Sequence, residues 1–415
     1  MNAEHSGQKR SGTAWEYTLL AAICAAALLL ALAIAEFYFR NREAAQFLTP
    51  ECRWVADDKI GFAHPKNQRC VLRSAEFSYQ YRLNADGHPD VEYQEDRRGC
   101  TIMAVGDSHT LAVGVTDQEA WPNVAEKRLQ QEISIPLQVI NMGVSGYSLG
   151  QEYLQAQRYF DRYSARHVLI GFSLATDTYD IRTPEDGGFI YGSNFSRTYF
   201  DIQDGRLVTR SGGGSAPRGD KPETSTVLSS CLDGEIRRCA QEKSALARAL
   251  ARGPLGQHLA RLLRGASGSS WASAESVVAT QLSPVDAKSW KLVELILEDM
   301  KSYFEARGAG ITVVVIPYLP QVYPEVWERV FGSQDARYSR FAGNRRMAAI
   351  CARVGIECID ATDKMIETVR VTKEWLHYPQ DAHPNAKGQR VIGELVASAL
   401  RGRVPAWCTP SSKPK

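Results

Sequence analysis

In the stretch IMAVGDSHTLAVG, Ile102 to Gly114, a serine stands behind Gly106 and Asp107 just where an apolar run of strand length ends. A hydroxyl at such a turn either caps the next helix or acts as a nucleophile, and the second use needs a positioned base to take its proton. Late in the chain, PQDAHPN supplies an imidazole at His383 and a carboxylate at Asp381, and an extended turn would let both project to one side. Between these blocks LQVIN runs into Met142 and Gly143 of NMGVSGYS, and HVLIGF is followed by Thr176 and Asp177. Hydroxyl, imidazole, carboxylate and backbone N–H groups are the parts that serine-based acyl transfer uses on any fold. His377, in WLHYPQDAHPN, is a competing imidazole whose aromatic neighbours point to packing instead. His109 faces either substrate or solvent. Asp107 and Asp177 read as holders of backbone turns, and Asn141 and Ser145 as residues that shape the turn after LQVIN.

These groups can act together only if the elements between them bring them together. The runs TIMAV, LQVIN, HVLIGF, ITVVVI and IECID alternate with helical stretches such as WPNVAEKRLQQE and SWKLVELILEDMKSYFEAR. In the second, Leu292, Leu295, Ile296, Met300 and Phe304 recur at helical spacing and define one apolar face. The alternation predicts an α/β fold, an open parallel sheet with helices on both faces, in which reactive groups gather beyond the carboxyl ends of the strands. Asn385 is the expected N-cap of the last helix, with Val391, Ile392, Leu395, Val396 and Leu400 as its buried stripe. From about 180 to 281 the alternation lapses. There TYFDIQDGRLVTR reads as a hairpin around Asp204-Gly205, SGGGSAPRGDKPETS as a loop, and ALARALARGPLGQHLARLLRGA as an arginine-rich solvated helix or one that touches lipid headgroups. This segment is expected as an insertion or lid.

With 415 residues and 44% hydrophobic content the chain can build a substantial core, and a formal charge of +2 gives no field that would recruit nucleic acid. Tyr17 to Ala35 carries no charge and, at about 1.5 Å per helical residue, nearly matches a ~30 Å hydrocarbon core. Trp15 and Tyr17 on one side and Phe37, Tyr38 and Phe39 on the other are interfacial aromatics, with Lys9, Arg10, Arg40 and Arg42 beyond them. A cleaved signal peptide is the alternative, because Ala33-Ile34-Ala35 has the small-x-small form; the length of the apolar run favours an uncleaved anchor. The expected organisation is a cytoplasmic N-terminus (1–16), a transmembrane anchor (17–39), a juxtamembrane segment (40–99) of open strand content, the main domain (100–405) and a tail (406–415).

Of nine cysteines, Cys24 lies in the span and the others beyond it. An even count suits pairing: Cys231 with Cys239 and Cys351 with Cys358 are close in sequence, Cys52 with Cys70 could close a loop and Cys100 with Cys408 would tie the ends of the main domain; the connectivity stays open, and no Cys/His spacing suggests zinc. Paired cysteines imply an oxidising compartment. The expected location is therefore an inner membrane, crossed once, with the main domain facing the periplasm or exterior.

The order of the chemical blocks resembles the SGNH hydrolases, also called the GDSL esterase family, over roughly Cys100 to Arg401, with 180–281 matching only loosely. The extended form GDSHTLAVGVTDQEAWPNVAEKRL, together with YRLNADGHPD and FDIQDGRLV, looks like the membrane-anchored envelope members. The resemblance implies a three-layer, flavodoxin-like fold around a five-stranded parallel sheet, and chemistry that requires no metal or organic cofactor. It assigns Ser108 as nucleophile, His383 as base and Asp381 as the group that orients the imidazole. It places the oxyanion donors at the N–H groups of Ser108 and Gly143 and at Thr176, where the family has asparagine. The family more often sets its aspartate three residues before the histidine, where this chain has Gln380. The implied substrate is an acyl ester, foremost an acetyl group, on a cell-surface or exported polysaccharide. Two alternatives stay open: an O-acetyltransferase with the same triad, and a noncatalytic glycan-binding or scaffold subunit of a polysaccharide assembly complex.

Overall fold

The computed structural model describes residues 14–43, 47–74, 76–93, 100–183, 185–186, 197–212, 276–332, 335–379 and 381–408. The chain divides into two units, Met1–Gln46 with Lys221–Ser267 and Phe47–Asp220 with Gly268–Lys415. In the first, helix α1 (Ala14–Glu43) contains one stretch, Tyr17–Ala35, long and apolar enough to span a bilayer or serve as a signal anchor.

The second unit opens with short strands β1 (Phe47–Leu48), β2 (Val55–Asp57), β3 (Gly61–Ala63), β4 (Gln68–Arg73) and β5 (Ser78–Leu83). β1, β4 and β5 form one antiparallel sheet, and β2 and β3 a second. Along β5 burial alternates: Tyr79, Tyr81 and Leu83 turn inward while Ser78, Gln80 and Arg82 face solvent, as the two-residue period of a strand dictates. The inward rings pack with the Cys52–Cys70 disulfide, Leu111 and Val113. Of the segment left open from sequence, the β4–β5 hairpin packs onto the main domain at Leu111 and Val113.

The main sheet is built from β6 (Cys100–Gly106), β7 (Leu137–Asn141), β8 (His167–Ser173) and two later strands. Between them lie α2 (Ser108–Leu111), α3 (Trp121–Glu132), α4 (Leu149–Phe160) and α5 (Asp177–Asp180). A separate hairpin, β9 (Arg197–Gln203) and β10 (Arg206–Gly212), turns through Asp204 and Gly205 at φ 52° and 74°. Asp-Gly is the dipeptide that a two-residue hairpin of this hand prefers. Then follow α6 (Pro284–Glu305), β11 (Gly310–Ile316), α7 (Leu319–Val322), α8 (Pro324–Phe331), α9 (Ala342–Val354), β12 (Glu357–Asp360), α10 (Thr362–Thr372), α11 (Ala386–Leu400) and α12 (Val404–Cys408).

The five strands are parallel, in the order β12-β11-β8-β6-β7, which is the flavodoxin-like order expected. β6, β7 and β8 are buried along their whole length and β11 beyond its first residue because both faces are covered, whereas the edge strand β12 buries only Ile359. Met103, Val105, Ile170, Val313 and Val315 join a core with α4, α6 and α9, while Ile102, Ala104, Leu169 and Val314 join a second with α3, α10 and α11. These two cores make the domain three layers. Asn385 caps α11 as expected, its side chain accepting from the Lys387 and Gly388 N–H groups. Of the stripe on α11, Ile392, Val396 and Leu400 are buried, and Val391 and Leu395 are half-buried against the same core.

Three of the four cysteine pairs are disulfides: Cys52–Cys70, Cys100–Cys408 and Cys351–Cys358. Cys231 and Cys239, the greater part of the glycine-rich loop and the arginine-rich helix lie outside the described residues.

Candidate active site

The first and third strands of the domain, β6 and β8, are neighbours, and the sheet order reverses between them; ligand crevices form at the carboxyl ends of such a pair. Ser108 lies at that edge as the first residue of α2. Asp107 caps the helix, its Oδ1 accepting the His109 N–H at 2.8 Å. Glycine is required on either side of this turn. A Cβ on Gly106 would sit 2.0 Å from Thr110 Oγ1, and one on Gly143 would sit 2.0 Å from the Leu111 backbone nitrogen.

The imidazole arrives from the far end of the chain, in the loop between α10 and α11. Its backbone is not extended, as expected from sequence, but turns through Ala382 at φ 72°. A left-handed alanine costs about 1–2 kcal/mol, so the turn must be held by its surroundings. Tyr378 holds it from below: its N–H donates to His383 O at 2.9 Å and its carbonyl accepts from Ala382 N at 2.8 Å. The Tyr378 hydroxyl donates to Gly114 O at 2.7 Å, anchoring the loop to the segment after α2.

With this turn in place, His383 Nδ1 lies 2.5 Å from Asp381 Oδ1 and His383 Nε2 lies 2.8 Å from Ser108 Oγ. A carboxylate on Nδ1 fixes that nitrogen as the donor and leaves Nε2 to accept from the serine hydroxyl. Burial pulls His383 toward the neutral form, but the hydrogen bond and charge of Asp381 outweigh it and hold the imidazole above its ordinary pKa. For Asp381 burial acts upward, and the contact with His383 prevails to keep the carboxyl below its ordinary value.

The other site residues are placed as follows. Thr176 Oγ1 donates to Asp107 Oδ2 at 2.7 Å, and the Gly143 N–H donates to Asn141 Oδ1 at 3.0 Å. Two of the three groups expected to face an oxyanion are thus engaged within the protein. His109 does not face solvent: it is buried, with Nδ1 3.1 Å from Asp107 Oδ2 and its ring 4.7 Å from that of His383. Burial raises Asp107, but His109 and then Thr176 bring it below its usual range. Asp177 holds its own turn, accepting from Ser173 N at 2.6 Å; burial and the nearby Glu152 push its carboxyl well up. Ser145 is half-buried in the turn closed by Tyr147 N and Val144 O. His377 is not on Ser108: it is buried, with Nδ1 3.4 Å from the Tyr323 hydroxyl, and burial drives it down to about 3. No three His, Cys, Asp or Glu among the described residues are grouped to hold a metal ion.

Two carboxylates of the site's surroundings were not singled out from sequence. Glu76, in the tight turn between β4 and β5, accepts the Asp381 N–H at 2.7 Å. Asp90 is buried and accepts the Asn141 N–H at 2.7 Å. Both lie before the first strand of the main sheet; no motif marks Glu76, and YRLNADGHPD, which ends at Asp90, gave that carboxylate no role.

No family model matches the chain, and no curated protein matches it. Among solved structures, it is similar to the lipase/acylhydrolase from Enterococcus faecalis at 9% identity and a TM-score of 0.36, over 76% of this chain and 100% of that one. A catalytic mutant of an acetylxylan esterase from Geobacillus stearothermophilus gives 11% identity and 0.37, over 73% and 93%. The psychrotrophic esterase EstA from Pseudoalteromonas sp. gives 13% and 0.34, over 73% and 97%. At that overlap the chemistry has to be argued from the site itself.

Proposed function

We propose that this protein is a serine esterase of the SGNH type that acts on acyl esters, foremost acetyl esters of a polysaccharide, at the outer face of an inner membrane. The observation that carries the reading is the continuous contact from Asp381 through His383 to Ser108 Oγ. Ser108 Oγ attacks the ester carbonyl and passes its proton to His383 Nε2; the C–O bond to the alcohol then breaks, and the imidazolium returns the proton to the departing alkoxide. Water, deprotonated by the same imidazole, attacks the acyl carbon; the bond to Ser108 Oγ breaks, the imidazolium returns the proton to Oγ, and the acid leaves. Asp381 remains ionised throughout and stabilises the imidazolium. The Ser108 N–H stabilises the oxyanion, with Gly143 and Thr176 joining it if substrate draws them from Asn141 and Asp107. One missing donor of this kind costs about 100-fold in rate, which makes a slow or selective enzyme the natural outcome.

The membrane reading rests on the Tyr17–Ala35 stretch, and the oxidising compartment on the three disulfides. An acetyltransferase is the same chemistry with a sugar hydroxyl in place of water at the second step. The engagement of Gly143 and Thr176 is the one observation that favours the noncatalytic scaffold.

The test is covalent labelling of the full chain in detergent by a fluorophosphonate, with turnover of a chromogenic acetyl ester followed in parallel. Wild type should label and turn over, and Ser108→Ala and His383→Asn should do neither, whereas His377→Asn should keep turnover. Equal labelling of wild type and Ser108→Ala removes Ser108 from the chemistry, and no signal from a folded wild type leaves the scaffold.

A further inference from the structure

We infer that Glu76 is a positioning residue for the triad, and that the hairpin β4–β5, which precedes the main domain in the chain, is part of the active site. The inference rests on the esterase reading above, and it arises from a different set of contacts.

Asp381, Ala382 and His383 form a strained turn, and two sides of it are visibly held. Tyr378 holds it through the backbone of Ala382 and His383. Asp381, the residue that must keep its carboxylate on His383 Nδ1, is held by neither of those bonds. Its N–H instead donates to Glu76 Oε2 at 2.7 Å, from a residue 305 positions away. A carboxyl oxygen accepting this N–H holds the backbone at the residue that borders the left-handed Ala382.

The hairpin is built to present Glu76 there. In its tip Ser74 N donates to Phe77 O at 2.8 Å, and Ser74 Oγ accepts from the Glu76 N–H at 3.1 Å and the Phe77 N–H at 3.3 Å. Phe77 packs against the Tyr378 ring, 4.9 Å between centroids, so consecutive tip residues touch both ends of the His383 turn. The opposite end of the hairpin is tied down by the Cys52–Cys70 disulfide, and its inner face packs on Leu111 and Val113, at and just beyond the end of the serine helix. One rigid hairpin therefore touches the element that carries Ser108 and the turn that carries His383. Those two contacts set the distance across which the proton moves.

The experiment compares full-length wild type, Glu76→Ala and Glu76→Gln in detergent. Three quantities are read: kcat and KM on a soluble acetyl ester, melting temperature, and amide hydrogen exchange of the 378–383 peptide. Glutamine keeps an acceptor oxygen for the Asp381 N–H and alanine does not. Misplacement of a catalytic group by an ångström costs about 100-fold, so Glu76→Ala should lose roughly 10- to 100-fold in kcat with KM unchanged, and exchange in 378–383 should rise. Glu76→Gln should restore most of both. Unchanged exchange and kcat in Glu76→Ala overturn the inference, as does a Glu76→Gln no better than alanine, or a loss explained by global melting. If wild type itself turns over no ester, the esterase reading fails, and exchange alone then decides whether Glu76 holds the loop.

Discussion

Thr176 Oγ1 donates to Asp107 Oδ2 at 2.7 Å, joining the exit of β8 to the cap of the serine helix. The same carboxylate accepts from the His109 backbone and lies against its ring, so Asp107 ties the exit of β8 to the helix that begins with Ser108. Thr176→Val removes one donor from a buried carboxylate and should destabilise the fold by about 1–3 kcal/mol, while Thr176→Ser should be near neutral. Chemical denaturation of the two variants checks this. A valine variant as stable as wild type would show that the contact holds nothing.

The pH dependence of turnover follows from His383. As base it must be neutral, and Asp381 holds its pKa above the ordinary 6.5 against the downward pull of burial. kcat/KM should therefore climb through an acidic limb centred above that value and level off at alkaline pH. In Asp381→Asn the larger upward influence is lost while burial and the weaker pull of Asp107 remain, so the limb should move to lower pH while the plateau falls. A limb that stays in place would mean that another group titrates.

Asp90 predicts a pH dependence of stability with a definite sign. Burial is the dominant cause that pushes its carboxyl from 3.8 up to about 7. Below the lower value it is protonated both folded and unfolded, and its full contribution is present. As pH rises through the window the unfolded chain ionises first, and the contribution is lost until about 7, beyond which it is constant. The stability of Asp90→Asn relative to wild type should thus increase between about pH 4 and 7 and then stay flat. Denaturation series across that range would show it, and a difference independent of pH would sink it.

The Cys100–Cys408 disulfide closes a loop spanning nearly the whole main domain, joining the start of β6 to α12. Cys408→Ser should lower stability by about 2–4 kcal/mol without displacing the triad, since Cys100 lies at the end of β6 opposite Ser108. Retained ester turnover below the melting transition checks the second half. Thiol alkylation before and after reduction checks the first premise, because the six cysteines of the three described disulfides should react only after reduction.

Much of the architecture was legible because it depends on local pattern. A parallel strand covered on both faces needs a mainly apolar run, so TIMAV, LQVIN, HVLIGF and ITVVVI marked the sheet directly, and the shorter, more polar IECID forms its edge. WPNVAEKRLQQE coincides with α3, and Asp-Gly marked the turn of the β9–β10 hairpin because few other pairs accept its backbone angles. The paired strands β4 and β5 were not legible: β5 alternates but β4 does not, and their register is a matter of pairing with each other.

The candidate site divides along the same line. Residue types and their order carried the chemistry, since a hydroxyl, an imidazole and a carboxylate have fixed capacities wherever they stand. Which atoms meet depends on how the crossovers stack the chain. Folding alone put His383 Nε2 against a serine 275 positions earlier. It alone turned the Thr176 hydroxyl toward Asp107 and brought Glu76 beneath Asp381. Hydrogen bonds act over about 3 Å, whereas the pattern in a sequence reports only on neighbours along the chain, so contacts between distant segments become readable only when the sheet has set them side by side.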